Sequence, residues 1–239
     1  MTGLTGLTGS RSMLVVGGTS GIGRALAQRR ADEGSRVWLT GRDPQGAASV
    51  AKEIGGDTRG LALELAEPTT IAAALAEVDD VDHLVIAAVD RDANTAKDYD
   101  IAAAVHLVTL KLVGYTEVVH TLLPRLADDA AVLLFGGLAK DRPYPGSTTV
   151  STINGGVTGL MHSLVVELAP RRVNAIHPGI VADSPFWADK AEATDRVKDR
   201  TPTGRNVTMD DVVDAAELLL RNRSLNGVDL LVDGGWMRA

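Results

Sequence analysis

The sequence predicts an α/β fold: a doubly wound parallel sheet of about seven strands with helices on both faces. Three observations predict it. Apolar runs of strand length alternate with helical patterns along all 239 residues. Most of these runs are continuously apolar, as expected for strands covered on both faces. A glycine-rich turn follows the first run and opens a helix, which is the local pattern of a βαβ unit.

The elements follow one another without a linker. Strands are predicted near 13–17, 36–40, 59–63, 82–88, 131–136, 172–177 and 228–232, and helices near 21–33, 44–54, 68–77, 96–125, 148–169, 184–199 and 208–221. Residues 1–239 are therefore expected to form a single domain. Residues 1–11 contain a short Thr-Gly-Leu repeat with no periodic apolar face, and we expect a flexible tail there.

Composition excludes several classes of protein. The net charge of −7, with no block of Lys and Arg, argues against nucleic acid and against an anionic membrane as partners. The absence of cysteine excludes disulfides, thiolate catalysis and cysteine-ligated zinc. No cluster of His, Asp and Glu has ligand spacing, so no metal site is expected. Without a secretory segment or an apolar span of about 20 residues, the expected location is cytoplasmic.

The glycine-rich turn after the first strand predicts a dinucleotide site. Gly17 lets the chain turn, Gly21 lets the backbone approach a pyrophosphate, and Gly23 lets helix and strand pack closely. The amides of Thr19, Ser20, Gly21 and Ile22 lie at the helix N-terminus, where free N–H groups and the helix dipole favour an anion. In such a sheet the ligand lies at the carboxyl ends of the strands.

Three motifs together resemble those of the short-chain dehydrogenase/reductase family, single-domain type, over nearly the whole chain. They are Val16-Gly17-Gly18-Thr19-Ser20-Gly21-Ile22-Gly23, Asn174-Ala175-Ile176-His177-Pro178-Gly179, and Leu225-Asn226-Gly227 through Val232-Asp233-Gly234-Gly235. The resemblance implies a Rossmann-like fold and an oxidoreductase acting on a carbonyl or hydroxyl group. It is less specific for activity, because function depends on the site and not on the fold.

The cofactor half of the pattern favours NADP(H). Gly41 stands where an acidic residue would bind the ribose of NAD, and Arg42 follows with a guanidinium suited to a 2′-phosphate. The resemblance places Glu64 opposite the adenine. It also places Ala88, Asn154, Pro178 and Gly179 against the cofactor.

The catalytic half departs from the pattern. The resemblance implies an asparagine that holds a relay water, a serine that binds the substrate oxygen, a tyrosine that transfers a proton, and a lysine that lowers the pKa of this tyrosine. These four positions are occupied by Lys111, Gly137, Val150 and Asn154. Val150 has no proton to give, a loss worth ~10²–10⁴ in rate. Displaced candidates for the proton chemistry are Tyr144, in a predicted loop, and Lys111. If Lys111 points into the cleft, its amine would have a lowered pKa. The equal alternative is a lysine that is solvated at the edge of its helix or paired at a subunit interface.

Three functions stay open at this stage. One is an NADP(H)-dependent oxidoreductase whose proton route is changed. Another is an isomerase, cyclase or dehydratase that retains the cleft, and the third is a non-catalytic NADP(H)-binding sensor or scaffold. The alanine-rich helices near 96–125 and 148–169 resemble the pair that forms oligomers in the family, which implies a homodimer or homotetramer.

Overall fold

A computed structural model describes residues 11–239, and its core is one sheet of seven parallel strands. The strands are β1 (Met13–Val16), β2 (Val37–Gly41), β3 (Thr58–Ala62), β4 (Val81–Ile86), β5 (Leu126–Phe135), β6 (Arg172–Pro178) and β7 (Asp229–Val232). Their order in the sheet is β3-β2-β1-β4-β5-β6-β7. The chain crosses from β3 on one side of β1 to β4 on the other, so the predicted doubly wound fold is confirmed. The predicted tail at 1–11 lies, apart from Arg11, outside the described residues.

Helices cover both faces of this sheet. They are α1 (Gly21–Asp32), α2 (Pro44–Ile54), α3 (Ile71–Ala74), α4 (Ile101–Val108), α5 (Tyr115–Leu122), α6 (Thr148–Glu167), α7 (Ala191–Arg200) and α8 (Met209–Arg221). On one face, α5 and α6 pack against the sheet through residues such as Val118 and Met161. On the other, α1 and α8 pack through residues such as Leu26 and Val213. Each face therefore has its own apolar core.

Two predicted helix starts were wrong. The helix expected from 96 begins at Ile101, because the Asn94 side chain accepts a hydrogen bond from the Asp100 amide (2.7 Å) and holds this stretch in a turn. Asp100 then caps the helix by accepting from the Ala103 amide at 3.0 Å. The helix expected over 184–199 is found at Ala191–Arg200, because hydrogen-bonded turns precede it, among them Trp187 N–H to the Ser184 carbonyl.

A six-residue π-helical turn, Thr109–Gly114, connects α4 to α5. The helical segment Ile101–Arg125 that contains it is long and apolar enough to cross a membrane by length and composition alone, contrary to the expectation of no such span. This is weak evidence for a membrane, because Tyr115 and Leu122 of the same segment are buried in the core against the sheet. π-Helical turns of this kind are frequent at functional sites.

Candidate functional site

The glycine turn has the geometry that its sequence predicts. Gly17 has φ = 84°, in the left-handed region. A Cβ on Gly23 would lie 2.2 Å from the Gly17 carbonyl oxygen, so only glycine allows α1 to pack this close to the turn. A Cβ on Gly21 would have Pro185 Cδ as its nearest neighbour, at 3.7 Å. The backbone at Gly21 therefore faces space that a ligand can approach.

A cavity of about 400 Å³ opens over this turn. Its walls come from the start of α1, the end of β2, the loop after β3 and the loop after β4. Nine of the twelve predicted cofactor residues line it: Gly17, Thr19, Ser20, Gly21, Ile22, Gly23, Arg42, Glu64 and Ala88. Free amides at the N-terminus of α1 and the guanidinium of Arg42 on the cavity wall suit a nucleotide with phosphate groups. The residues present therefore fit a dinucleotide.

Arg42 and Glu64 differ in how tightly they are held. Arg42 is 74% exposed, and its nearest carboxylate oxygen belongs to Asp90, 3.9 Å from Nη1. A guanidinium held this loosely is free to turn toward a phosphate. Glu64 is half-buried, and its Oε1 accepts a hydrogen bond from the Ala66 amide at 3.0 Å. One carboxylate oxygen is thus engaged locally while the side chain remains on the cavity wall.

A second cavity of about 530 Å³ shares residues Ile22, Val89 and Arg91 with the first. All four family catalytic positions line it, together with Tyr144 and the remaining cofactor candidates: Lys111, Gly137, Val150, Asn154, Pro178 and Gly179. The rest of the wall is mostly apolar and includes Phe135, Ile153 and Trp187. The two cavities thus form one continuous cleft, with room for a small molecule beside a nucleotide.

Lys111 is the most unusual residue of this cleft. It lies in the π-helical turn, is 2% exposed, and has its Nζ 5.1 Å from the centre of the Tyr115 ring. Burial and, to a smaller extent, the positive charge of Arg91 lower the pKa of Lys111 to about 7. A lysine in this environment is present in both charged and neutral forms near neutral pH.

The other three catalytic positions contribute little acid–base chemistry. Val150 is 8% exposed and packs with Leu107 and Ile153. A Cβ on Gly137 would lie 2.9 Å from the Asn154 Nδ2, so the carboxamide of Asn154 lies where a longer side chain at 137 would point. The carboxamide can hydrogen-bond a ligand and cannot exchange a proton near neutral pH.

Tyr144 lies in the predicted loop, about half-exposed, on the wall of the second cavity. Its backbone is fixed by Ser147, whose Oγ accepts from the Tyr144 amide at 2.9 Å and donates to its carbonyl at 2.6 Å. Arg91 acts on the same region: its guanidinium lies 3.9 Å from the centre of the Phe186 ring and interacts with the Tyr144 phenol. The sequence alone did not predict a role for Arg91, although this residue lies in the loop after β4, at the carboxyl ends of the strands.

His177 lies in β6, within the strand predicted near 172–177, but it is fully buried and its Nε2 is hydrogen-bonded to Asp229. Asp229 in turn accepts from Lys140 Nζ at 2.8 Å. Burial lowers the pKa of His177, and it belongs to a structural network behind the cleft. Within residues 11–239 no group of three possible ligand side chains could hold a metal ion.

Comparison with known proteins finds relatives along nearly the whole chain. The sequence profile described as enoyl-(acyl carrier protein) reductase matches residues 16–237. A curated relative, the 3-oxoacyl-acyl-carrier-protein reductase FabG of Aquifex aeolicus (strain VF5), is 30% identical over 242 residues, which cover 93% of this chain and 95% of the relative.

Solved structures show the same fold with nucleotides. An actinorhodin polyketide ketoreductase variant with NADPH superposes with a TM-score of 0.87 at 26% identity, covering 96% of this chain and 98% of that one. The 3-ketoacyl-(acyl-carrier-protein) reductase of Brucella melitensis, complexed with NADH, gives a TM-score of 0.84 at 27% identity, with 95% and 98% coverage. These proteins are therefore similar to this chain in fold over nearly its whole length.

Proposed function

Because the chain belongs to the short-chain dehydrogenase/reductase family, we propose that it binds NADP(H) and acts on a carbonyl or hydroxyl group by a changed proton route. The observation that carries this proposal is the continuous cleft. One end has the glycine turn and Arg42, and the other has a buried amine in an apolar pocket. The bound nucleotide would supply or accept a hydride equivalent.

Arg42 is the basis for preferring NADP(H) over NAD(H). Gly41 leaves no carboxylate to bind a ribose 2′-hydroxyl, and a Cβ there would lie 2.5 Å from Thr19 Cγ2, so a larger residue would crowd the site. Arg42 is exposed and only loosely paired with Asp90. A 2′-phosphate would offer it a stronger, charge-assisted partner than that carboxylate.

Lys111 and Tyr144 are the residues to which we assign the proton chemistry. Val150 cannot donate, whereas Lys111 titrates near neutral pH inside the same cavity. Tyr144 brings a phenol to the wall of this cavity, next to the Arg91 guanidinium. Asn154 would orient the ligand through its carboxamide. Generic ketones are expected to react slowly, because neither group occupies the position of the proton-transferring tyrosine in the family pattern.

Assembly and location belong to the same proposal. Ile101, Val105 and Val108 follow a helical spacing along α4 and are 69%, 59% and 37% exposed. An exposed apolar stripe of this kind marks a protein interface, and a second copy of the chain is the partner that we propose, as a homodimer or homotetramer. The proposed location is the cytoplasm.

Calorimetry with NADPH and NADH tests the nucleotide assignment. NADPH is expected to bind more tightly than NADH. Arg42→Ala should weaken the binding of NADPH about ten- to a hundredfold and change the affinity for NADH little. Arg24→Ala is the matched control, because Arg24 of α1 is paired with Glu53 at 2.7 Å and is not among the residues that line either cavity. Equal affinity for the two nucleotides, or none for either, would contradict the assignment.

A further inference from the structure

Lys111 combines three properties of an amine that attacks carbonyl carbon. It is buried, it lines a cavity large enough for a small molecule, and it lies next to a second cation, Arg91. Desolvation in an apolar pocket and a neighbouring positive charge are the two means by which proteins keep a lysine neutral and nucleophilic. Both operate at Lys111.

The carboxylates of the cavity wall do not neutralise this amine. Asp90 faces His106, 3.3 Å away, and Arg42. Asp233 accepts backbone amides from Gly235 and Met237, each at 2.9 Å. The amine is thus left without a counter-ion among the described residues. A lysine retained for packing alone would leave such a pocket to a methionine or leucine, since burying an unpaired charge is costly.

The lysine is also held rigidly. A Cβ on Gly114, which ends the π-helical turn, would lie 2.4 Å from the Leu65 carbonyl oxygen. A Cβ on Gly156 of α6 would lie 2.7 Å from Leu112 Cδ2. The turn is therefore packed closely on two sides, which fixes the backbone at Lys111 and limits how far its amine can move out of the cleft.

We propose that Lys111 condenses with an aldehyde or ketone bound in the apolar cavity to form an iminium ion, so that the cleft activates carbonyl compounds independently of hydride transfer. This rests on the same cleft as the proposed function. The Nζ lone pair attacks the carbonyl carbon, the C–O π electrons move to oxygen, and a proton passes from nitrogen to this oxygen to give the carbinolamine. The hydroxyl then takes a second proton, from solvent, and leaves as water, which gives the protonated imine. No oxidant or reductant is needed.

The iminium would make the carbon next to it acidic, because its positive nitrogen accepts the electrons that a departing α-proton leaves behind. The expected further activity is therefore α-proton exchange or enolisation of an apolar ketone. Tyr144, on the wall of the same cavity, is placed to exchange protons with solvent. The ligand class is an aldehyde or ketone with an aryl or alkyl group that fills the space beside Phe135, Ile153 and Trp187.

The other five lysines supply internal controls. Lys52, Lys97, Lys190 and Lys198 are exposed. Lys140 is only 11% exposed in its side chain, yet it is paired with Asp141 and Asp229, and these partners raise its pKa despite its burial. With a pKa of about 7, Lys111 is about half neutral at pH 7, against roughly one molecule in three thousand for a lysine of pKa 10.5. A carbonyl reagent at pH 7 should therefore select Lys111.

Covalent trapping tests the proposal. The protein is incubated at pH 7 without nucleotide, once with 1-phenylbutane-1,3-dione, which forms a stable conjugated enaminone with an amine, and once with benzaldehyde plus cyanoborohydride. Peptide mass spectrometry then locates the adducts. Adducts at Lys111 at least tenfold above those at Lys140 and the exposed lysines are expected, together with a new near-ultraviolet absorption band that Lys111→Arg abolishes. The yield should rise from pH 6 to pH 8 and then level.

Modification spread evenly over exposed lysines, or none at Lys111, would overturn the proposal; the wild-type peptide map decides this even if the variant does not fold. Calorimetry with NADPH on the same preparation separates the two hypotheses. Nucleotide binding without trapping overturns the iminium alone, and trapping without nucleotide binding overturns the NADP(H) assignment alone.

Discussion

Replacement of Lys111 by methionine is expected to stabilise the protein at neutral and acidic pH. The side chain is 2% exposed, and burial lowers its pKa from 10.5 to about 7. In the unfolded chain the amine keeps its proton up to pH 10.5. Below pH 7 the folded chain carries the full cost of burying the charge, between pH 7 and 10.5 this cost declines, and above that range it is absent.

The size of the effect follows from the shift. Lowering the pKa of Lys111 from 10.5 to about 7 corresponds to a loss of folding free energy of at most about 5 kcal/mol, at 1.36 kcal/mol per pKa unit. Water in the adjoining cavity would reduce the penalty, so a gain of roughly 2–5 kcal/mol at pH 6 is expected. Methionine matches the length of the lysine stem and fills the space without a charge.

Urea unfolding, followed by tryptophan fluorescence at pH 6, 8 and 9.5, measures the free energy of unfolding of both proteins. The free energy of unfolding of Lys111→Met should exceed that of the wild type most at pH 6, and the difference should shrink with rising pH. Lys140→Met is the matched control and should destabilise, because it removes the partner of Asp229. A Lys111→Met protein that is less stable at every pH, or a gain that does not change with pH, would refute the reasoning.

Three further outcomes are expected. A fourfold variant restores the family pattern: Gly137→Ser, Val150→Tyr, Asn154→Lys and Lys111→Asn. It should reduce ketones with NADPH ~10²-fold faster or more, whereas each single change should gain little, because these groups act as a unit. A steady-state assay that finds no gain in the fourfold variant would contradict this prediction. Burial and nearby Arg30 lower the pKa of His83 from 6.5 to about 3, so the folded state resists the proton that the unfolded chain accepts below pH 6.5. The wild type should therefore lose about 2 kcal/mol more stability than His83→Gln between pH 7 and pH 5 in urea titrations, and equal losses would contradict it. Val105→Asp should shift the protein toward monomers in sedimentation velocity, whereas Leu218→Asp, at an exposed position of α8, should leave the assembly unchanged; no shift with Val105→Asp would argue against α4 as the interface.

The fold could be predicted from the sequence because its signals are local. Strands such as β1 and β4 are short apolar runs, and the turn after β1 needs glycines at fixed positions. The start of α4 was harder, since it depends on the Asn94 side chain bonding to Asp100, six residues away. The alanines after position 100 favour a helix, and the sequence of residues 95–99 does not show that the Asn94 side chain binds the Asp100 amide and delays the helix start.

The site could be predicted only in part. Lining residues of the nucleotide cavity, such as Gly21 and Arg42, were found because they follow strands whose carboxyl ends meet at one edge. The sequence left Lys111 equally able to point to solvent or to the cleft. Its burial depends on the π-helical turn and on packing against α6 and Leu65, which are long-range contacts. The burial of His177 could not be predicted for the same reason: its partner Asp229 lies on another strand.

Positions 111 and 154 together suggest how the cleft changed its chemistry. The family pattern implies an asparagine at 111 and a lysine at 154, and this chain has the reverse, Lys111 and Asn154, on opposite elements around one cavity. An amine and a carboxamide are thus both retained while the tyrosine and serine positions carry Val150 and Gly137. Without a tyrosine at 150, a lysine at 154 would have no phenol whose pKa it could lower. An amine at 111 lies on the wall of the apolar cavity, where burial lowers its pKa to about 7. In the proposed chemistry this amine would act on the substrate itself, whereas the lysine of the family pattern lowers the pKa of a proton donor.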